Sequence, residues 1–207
     1  SRGLGDVYKR QCQYRGEIMD REIEIKLEIT ENEYDKLLSY LLKNGSNHTK
    51  KEQNDIYFSP KYRPFFGGDI DDECLRIRIM KDKNILSYKK IFFGNSDDDI
   101  HLEEHESDVS DLEQVIKILN CLDIEKVLTL HKIRDSFMYQ DIFEISLDNV
   151  FDLGYFIEIE VKDSALSVSD ANQKLKELTS SLGLSLSSRN LDGYANMLYE
   201  KLYGKKN

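Results

Sequence analysis

Glu22-Ile23-Glu24-Ile25-Lys26-Leu27-Glu28-Ile29 alternates without a break, ionic at every even position and aliphatic at every odd one. A period of two is the period of a β-strand, so the charges share one face and the aliphatic side chains the other. An outward face is ordinarily mixed with Thr, Ser and Gln; this one is wholly ionic. Such a face is either a solvated edge or one wall of a polar cavity that holds a ligand.

Further strands carry the same pattern. Around residues 51–59, Gln53, Asp55 and Tyr57 share a face, opposite Ile56 and Phe58. Arg76 and Arg78 stand in phase, opposite Leu75, Ile77 and Ile79, and Lys89 is in phase with Ser87 within 85–93. Residues 101–109 place Glu104, Glu106 and Asp108 together. Residues 131–139 do the same for Lys132, Arg134 and Ser136, 142–148 for Glu144, Ser146 and Asp148, and 155–162 for Glu158, Glu160 and Lys162. Helices are predicted over Glu31–Lys43, from a Thr30-Glu31-Asn32-Glu33 capping box with a Tyr34, Leu37, Leu38, Leu41, Leu42 stripe. Others are predicted from a second box, Ser110-Asp111-Leu112-Glu113, to about Cys121, from a Ser169 cap to Leu182, and over Leu191–Leu202. Residues 1–18 are polar and unpatterned and read as a disordered or extraneous lead-in, leaving 19–207 as one domain.

Composition fits that picture. The chain has 207 residues, 40% of them hydrophobic, which suffices for one folded core. Charged residues reach 33%, above the usual ~25%. The net charge is −10, the wrong sign for gripping a nucleic-acid backbone or an anionic membrane. Cys12, Cys74 and Cys121 are odd in number and widely spaced, which argues against a disulfide framework or a zinc site. No apolar run is long enough to span a bilayer. The expectation is a soluble, cytoplasmic protein.

Eight strands can close into a barrel around a narrow lumen. With the ionic faces turned inward, cations from 76–78, 89 and 132–134 would meet carboxylates from 22–24, 104–106, 148 and 158–160, while helices cover the aliphatic exterior. Charges buried at that density are costly unless paired or engaged by a ligand. Arginine forks and lysine point charges suit phosphate oxygens. Carboxylates without His or Cys neighbours suit Mg²⁺ or Mn²⁺. Together they suit a metal-bound triphosphate.

The ordered set of Glu22-Ile23-Glu24-Ile25-Lys26, Asp55-Ile56-Tyr57-Phe58, Leu75-Arg76-Ile77-Arg78, Leu86-Ser87-Tyr88-Lys89, Glu104/Glu106, Lys132/Arg134 and Leu147 to Glu160 resembles the CYTH superfamily, the triphosphate tunnel metalloenzymes. The last segment is most similar to the class IV adenylate cyclase branch. The resemblance covers about 20–203. It implies an α+β fold, an eight-stranded antiparallel β-barrel forming a triphosphate tunnel with helices on its outside. It further implies that Glu22, Glu24, Glu104, Glu106, Asp148, Glu158 and Glu160 hold divalent metal, Mg²⁺ or Mn²⁺. Lys26, Arg76, Arg78, Lys89, Lys132 and Arg134 would grip the phosphates, with Lys26 and Glu24 at the centre of catalysis. The partner implied is a small-molecule triphosphate, and homodimers are common among such proteins. Two positions depart from the family pattern: Leu102 where Arg is frequent, and Lys89-Lys90-Ile91 where Lys-Gly-Pro is common. Cyclisation of ATP is the favoured reading. Hydrolysis of inorganic or thiamine triphosphate on the same site, or non-catalytic polyphosphate or nucleotide binding, are the alternatives.

Overall fold

The computed structural model of the chain describes residues 23–67, 72–93, 100–163, 165–186 and 193–204. The first 22 residues, with Glu22 and the predicted lead-in, lie outside that set, as does Leu191 at the expected start of the last helix. Eight strands are formed: β1 (Glu24–Ile29), β2 (Ser46–Pro60), β3 (Glu73–Ile79), β4 (Asn84–Phe93), β5 (Ile100–Val109), β6 (Ile124–Tyr139), β7 (Phe143–Val150) and β8 (Gly154–Val161). Four helices accompany them among the described residues: α1 (Glu31–Asn44), α2 (Leu112–Cys121), α3 (Val168–Ser181) and α4 (Tyr194–Tyr203). All strands pair antiparallel in one sheet of order β1-β8-β7-β6-β2-β3-β4-β5. The expected α+β, eight-stranded antiparallel architecture is therefore present. Its hydrogen-bonded order ends at β1 and β5, and no ladder joins those two among the described residues. Both edges carry carboxylates (Glu24 on one, Glu104 and Glu106 on the other), and like charges facing one another disfavour pairing.

The helices obey local rules, with two shifts of cap. Thr30 and Glu33 form the expected box: the Thr30 hydroxyl accepts from the Glu33 amide at 3.3 Å, and the Glu33 carboxylate accepts from the Thr30 amide at 2.7 Å. On α1, Tyr34, Leu37 and Leu41 are buried, whereas Leu42 is 56% exposed. One residue is 100° of helix, enough to rotate Leu42 off the stripe. Asp111, not Ser110, caps α2, accepting from the Gln114 amide at 3.0 Å. Ser167, not Ser169, caps α3 through the Asp170 amide at 3.1 Å. In each case two candidate oxygens lay close together in sequence, and the side chain on the extended residue before the first turn wins. On α4, Tyr194, Ala195 and Leu198 are buried but Leu202 is 58% exposed.

Strands β2 and β6 run well past the spans read from the sequence, pairing from Ser46 opposite Met138 to Pro60 opposite Ile124. Register shifts interrupt this ribbon twice, and an inserted residue inverts the alternation on which the sequence reading depends. Gly45 lies where α1 meets β6: a Cβ there would approach the Phe137 side chain to 3.2 Å.

Two apolar layers coat the outside. Helices α1 and α3 seal the backs of β1, β8, β7 and β6 around Leu41, Phe137, Ile145, Ile159 and Leu175. Helix α2 covers β2 and β3 around Phe58, Ile77 and Leu119. A third cluster behaves differently. Helix α4 packs Tyr194, Ala195 and Leu198 against Tyr57, Leu128, Leu130, Val150 and Phe156, side chains in phase with the charged inner face. The C-terminal helix thus occupies the inner side of the sheet, where it covers the apolar part of that surface. No described helix is long and apolar enough to cross a membrane.

Candidate active site: a cation array on the inner face

Cross-strand register assembles the site. Arg134 is the direct partner of Asp148, Lys26 of Glu158, Arg78 of Asp55, Arg76 of Ser87 and Lys89 of Glu104. Directly opposed residues place their Cβ atoms about 4.5–5.5 Å apart, so alternation in each strand converts into ion pairs across strands.

Asp148, 0% exposed, organises one half. Arg134 donates to it from Nε at 2.7 Å and from its NH2 group at 2.6 Å, Lys132 Nζ donates at 3.1 Å, and the Tyr194 hydroxyl at 2.9 Å. The remaining Arg134 nitrogen reaches Glu158 at 3.1 Å, and Lys26 Nζ lies 3.4 Å from the other Glu158 oxygen. Lys26 and Lys132 also lie 4.6 and 5.0 Å from the centre of the Tyr194 ring, within cation–π range.

Asp55, 1% exposed, organises the other half. Arg78 forks onto it with two bonds of 2.8 Å. Arg76 donates from Nε to the Ser87 hydroxyl at 2.9 Å, and its terminal nitrogens stand 3.8 Å from Asp55 and 3.6 Å from Glu104. Those last contacts exceed hydrogen-bond reach, leaving the planar end of Arg76 oriented but loosely engaged. Lys89 Nζ pairs with Glu104 at 2.9 Å.

Burial and neighbouring charge pull in opposite directions here. Burial alone would raise the Glu158 carboxyl, but Arg134, Lys26 and Lys132 together hold it well below the ordinary carboxylate range. Burial likewise opposes the Asp148 charge, and Lys132 and Arg134 reverse the balance and lower it. Lys132 goes the other way: full burial, reinforced by Arg134, brings its ammonium down to about 7 against the counter-pull of Asp148. Burial, then Asp148 and Glu158, push the Tyr194 hydroxyl well up, so it serves as a donor. The Cys74 thiol, in phase with Arg76, is pushed up by burial to about 11 and is a packed side chain rather than a nucleophile.

All six expected phosphate-binding cations fall on this surface. The carboxylates divide. Glu104 and Glu158 sit within the array, and Asp148 is enclosed by three cationic and phenolic donors. Glu24, Glu160 and Glu144 form a row of direct partners across β1, β8 and β7, with Lys162 2.6 Å from Glu160. Glu106 is exposed on β5. No three His, Cys, Asp or Glu side chains converge as a metal cluster among the described residues. The sequence reading did not give Asp55, Ser87 or Tyr194 a role. The phase of Asp55 with Gln53 and Tyr57 was a usable signal. Tyr194 offered none, since its bond to Asp148 spans 46 residues.

Comparison with known proteins agrees with this geometry. Residues 20–194 match the CYTH domain. A protein of Methanocaldococcus jannaschii named as a proposed adenylate cyclase is 36% identical over 160 residues, covering 76% of this chain and 83% of that one. A Pyrococcus horikoshii structure superposes with a TM-score of 0.70 at 26% identity, covering 87% of this chain and 99% of the other. A Hippeastrum protein, described as a proposed adenylyl cyclase with a dominant triphosphatase activity, superposes at 0.61 and 15% identity over 90% of this chain and 97% of its own. By its ordered motifs, its eight-stranded sheet and its match over residues 20–194, the chain belongs to the CYTH domain family.

Proposed function

We propose that this protein is a divalent-metal-dependent enzyme acting on the triphosphate of ATP, joining the ribose 3′-oxygen to the α-phosphorus and releasing pyrophosphate. The observation that carries the reading is the cation array itself. Lys26, Arg76, Arg78, Lys89, Lys132 and Arg134 come from β1, β3, β4 and β6 onto one inner face, a concentration of cations that suits phosphate oxygens. The cyclase assignment draws on the archaeal relative at 36% identity.

The residues present fit a hard metal ion. Glu104 carries a buried carboxylate oxygen that accepts no hydrogen bond, and Glu24, Glu160 and Glu144 stand opposite one another across β1, β8 and β7, with Lys162 2.6 Å from Glu160. Glu22, Glu24, Glu104, Glu106, Glu158 and Glu160 are the side chains proposed to hold Mg²⁺ or Mn²⁺. Asp148, also expected there, is better suited to orienting Lys132 and Arg134. When bound, the metal supplies Lewis-acid stabilisation of phosphate charge and activation of the attacking oxygen.

The chain's own groups do the positioning. Asp55 and Asp148 fix two guanidinium forks before ligand arrives, so charge stabilisation needs little reorganisation. Arg76, oriented by Ser87 and only loosely engaged at its planar end, is set to take phosphate oxygens directly. Lys26 bridges Glu158 and the Tyr194 face, at the border between the array and the α4 plug.

A second reading is hydrolysis of a triphosphate, favoured by the activity described for the Hippeastrum structure, which shares this fold. Incubation with Mg²⁺ or Mn²⁺ and ATP, then with inorganic triphosphate, separates the two. Cyclic AMP with pyrophosphate is the expected result. Orthophosphate release would replace it with the hydrolase reading, and turnover of neither would reject both.

A further inference from the structure

Gln53 is the one uncharged amide on the inner face of β2 that none of these pairings uses. It is 4% exposed, in phase with the buried Asp55 and Tyr57, and its direct partner across the β2–β6 ladder is Lys132. Its side-chain carbonyl oxygen is buried and accepts no hydrogen bond. Lys132 does not satisfy it; its ammonium donates to Asp148, 3.1 Å away. Native proteins seldom leave a buried acceptor unmatched, because the group gives up its water and gains nothing in return. Such a group needs an explanation, and an apolar side chain of the same length would fill the position more favourably.

We propose that Gln53 is a ligand-contacting residue whose side-chain carbonyl accepts a hydrogen bond from an O–H group carried into the tunnel with the triphosphate, beside Lys132. An ionised triphosphate has acceptor oxygens only, so it cannot itself supply that hydrogen. The donor is a hydroxyl of the bound nucleotide or a water held with the phosphates. These are also the two oxygen nucleophiles that separate cyclisation from hydrolysis, and a positioned amide is known chemistry for orienting such an oxygen. The inference rests on the triphosphate reading above and adds the group that would orient the attacking oxygen.

The test uses Gln53→Met, which keeps length and volume and removes the acceptor. In the ligand-free protein, the variant is expected to melt at the wild-type temperature or above it, since the unmatched oxygen is gone. Binding of ATP or inorganic triphosphate with Mg²⁺, measured by calorimetry, is expected to weaken about tenfold, the worth of roughly 1.4 kcal/mol. Gln53→Leu serves as the second apolar variant, and the side-chain amide resonance of Gln53 in the wild type is expected to move on titration with triphosphate. A loss confined to ATP, and absent with 3′-deoxy-ATP, assigns the donor to the ribose hydroxyl. An equal loss with ATP, 3′-deoxy-ATP and inorganic triphosphate assigns it to water. Wild-type affinity in both variants, or a lower melting temperature with binding unchanged, makes Gln53 a packing residue and overturns the proposal. If the wild type binds neither compound, the triphosphate reading itself falls.

Discussion

Lys26 has two neighbours that its own strand could not supply: Glu158 at 3.4 Å and the ring of Tyr194 at 4.6 Å. Because it is only partly buried, its removal leaves the outer apolar layers untouched. Lys26→Ala and Glu24→Gln are each expected to lower turnover of a triphosphate by at least ~100-fold, the scale of a lost preorganised charge contact, with circular dichroism unchanged. Near-normal activity in either would remove this strand from the site. Tyr194→Phe keeps the ring beside Lys26 and Lys132 but leaves Asp148 short of one donor. A buried bond to a charged group is worth about 1.5–3 kcal/mol, so the melting temperature is expected to fall by several degrees. Lys132 gives a pH signature. Its folded value is about 7 against 10.5, so between those limits the unfolded chain binds more protons and stability contributed by this group rises with pH. Relative to Lys132→Met, the wild type is expected to gain stability from pH 7 to pH 10 in urea melts, and a parallel pair of curves would contradict the depressed value.

Element boundaries expose how local chemistry competes. Ser110 and Asp111 both precede an apolar run, and the sequence alone gives each a claim to the cap. The backbone is extended at Asp111, and its carboxylate also favours the positive end of the helix. Asp111→Ala is expected to cost about 1 kcal/mol, while Ser110→Ala leaves the melting temperature unchanged. Equal effects would mean that the cap is shared. Strand existence and phase were readable throughout because each ionic face repeats at period two. Strand length was not readable for β2 and β6, whose interruptions break the period. The site of α4 was not readable from its own residues for a different reason. An amphipathic stripe says that a helix buries one face but not which surface receives it, and here the receiver is the apolar part of the inner face.

At the scale of the molecule, both edge strands carry carboxylates beside the cation array, so metal and triphosphate together should stabilise the fold. Mg²⁺ together with inorganic triphosphate is expected to raise the melting temperature, with a stabilisation of about 2.7 kcal/mol at 100 times the dissociation constant. Each alone should do less, and absence of any shift would argue against a metal-bound triphosphate. The sequence by itself determined the strand phases, the pairing of cation with carboxylate types and the family, because alternation and charge are local properties. Only the tertiary structure decided which carboxylate serves which cation. Cross-strand register sets Asp148 under Arg134 and Asp55 under Arg78, and register is fixed by packing of the whole sheet. The place of Tyr194 beneath Lys26, and the unmatched oxygen of Gln53, arise likewise from contacts that no local period encodes.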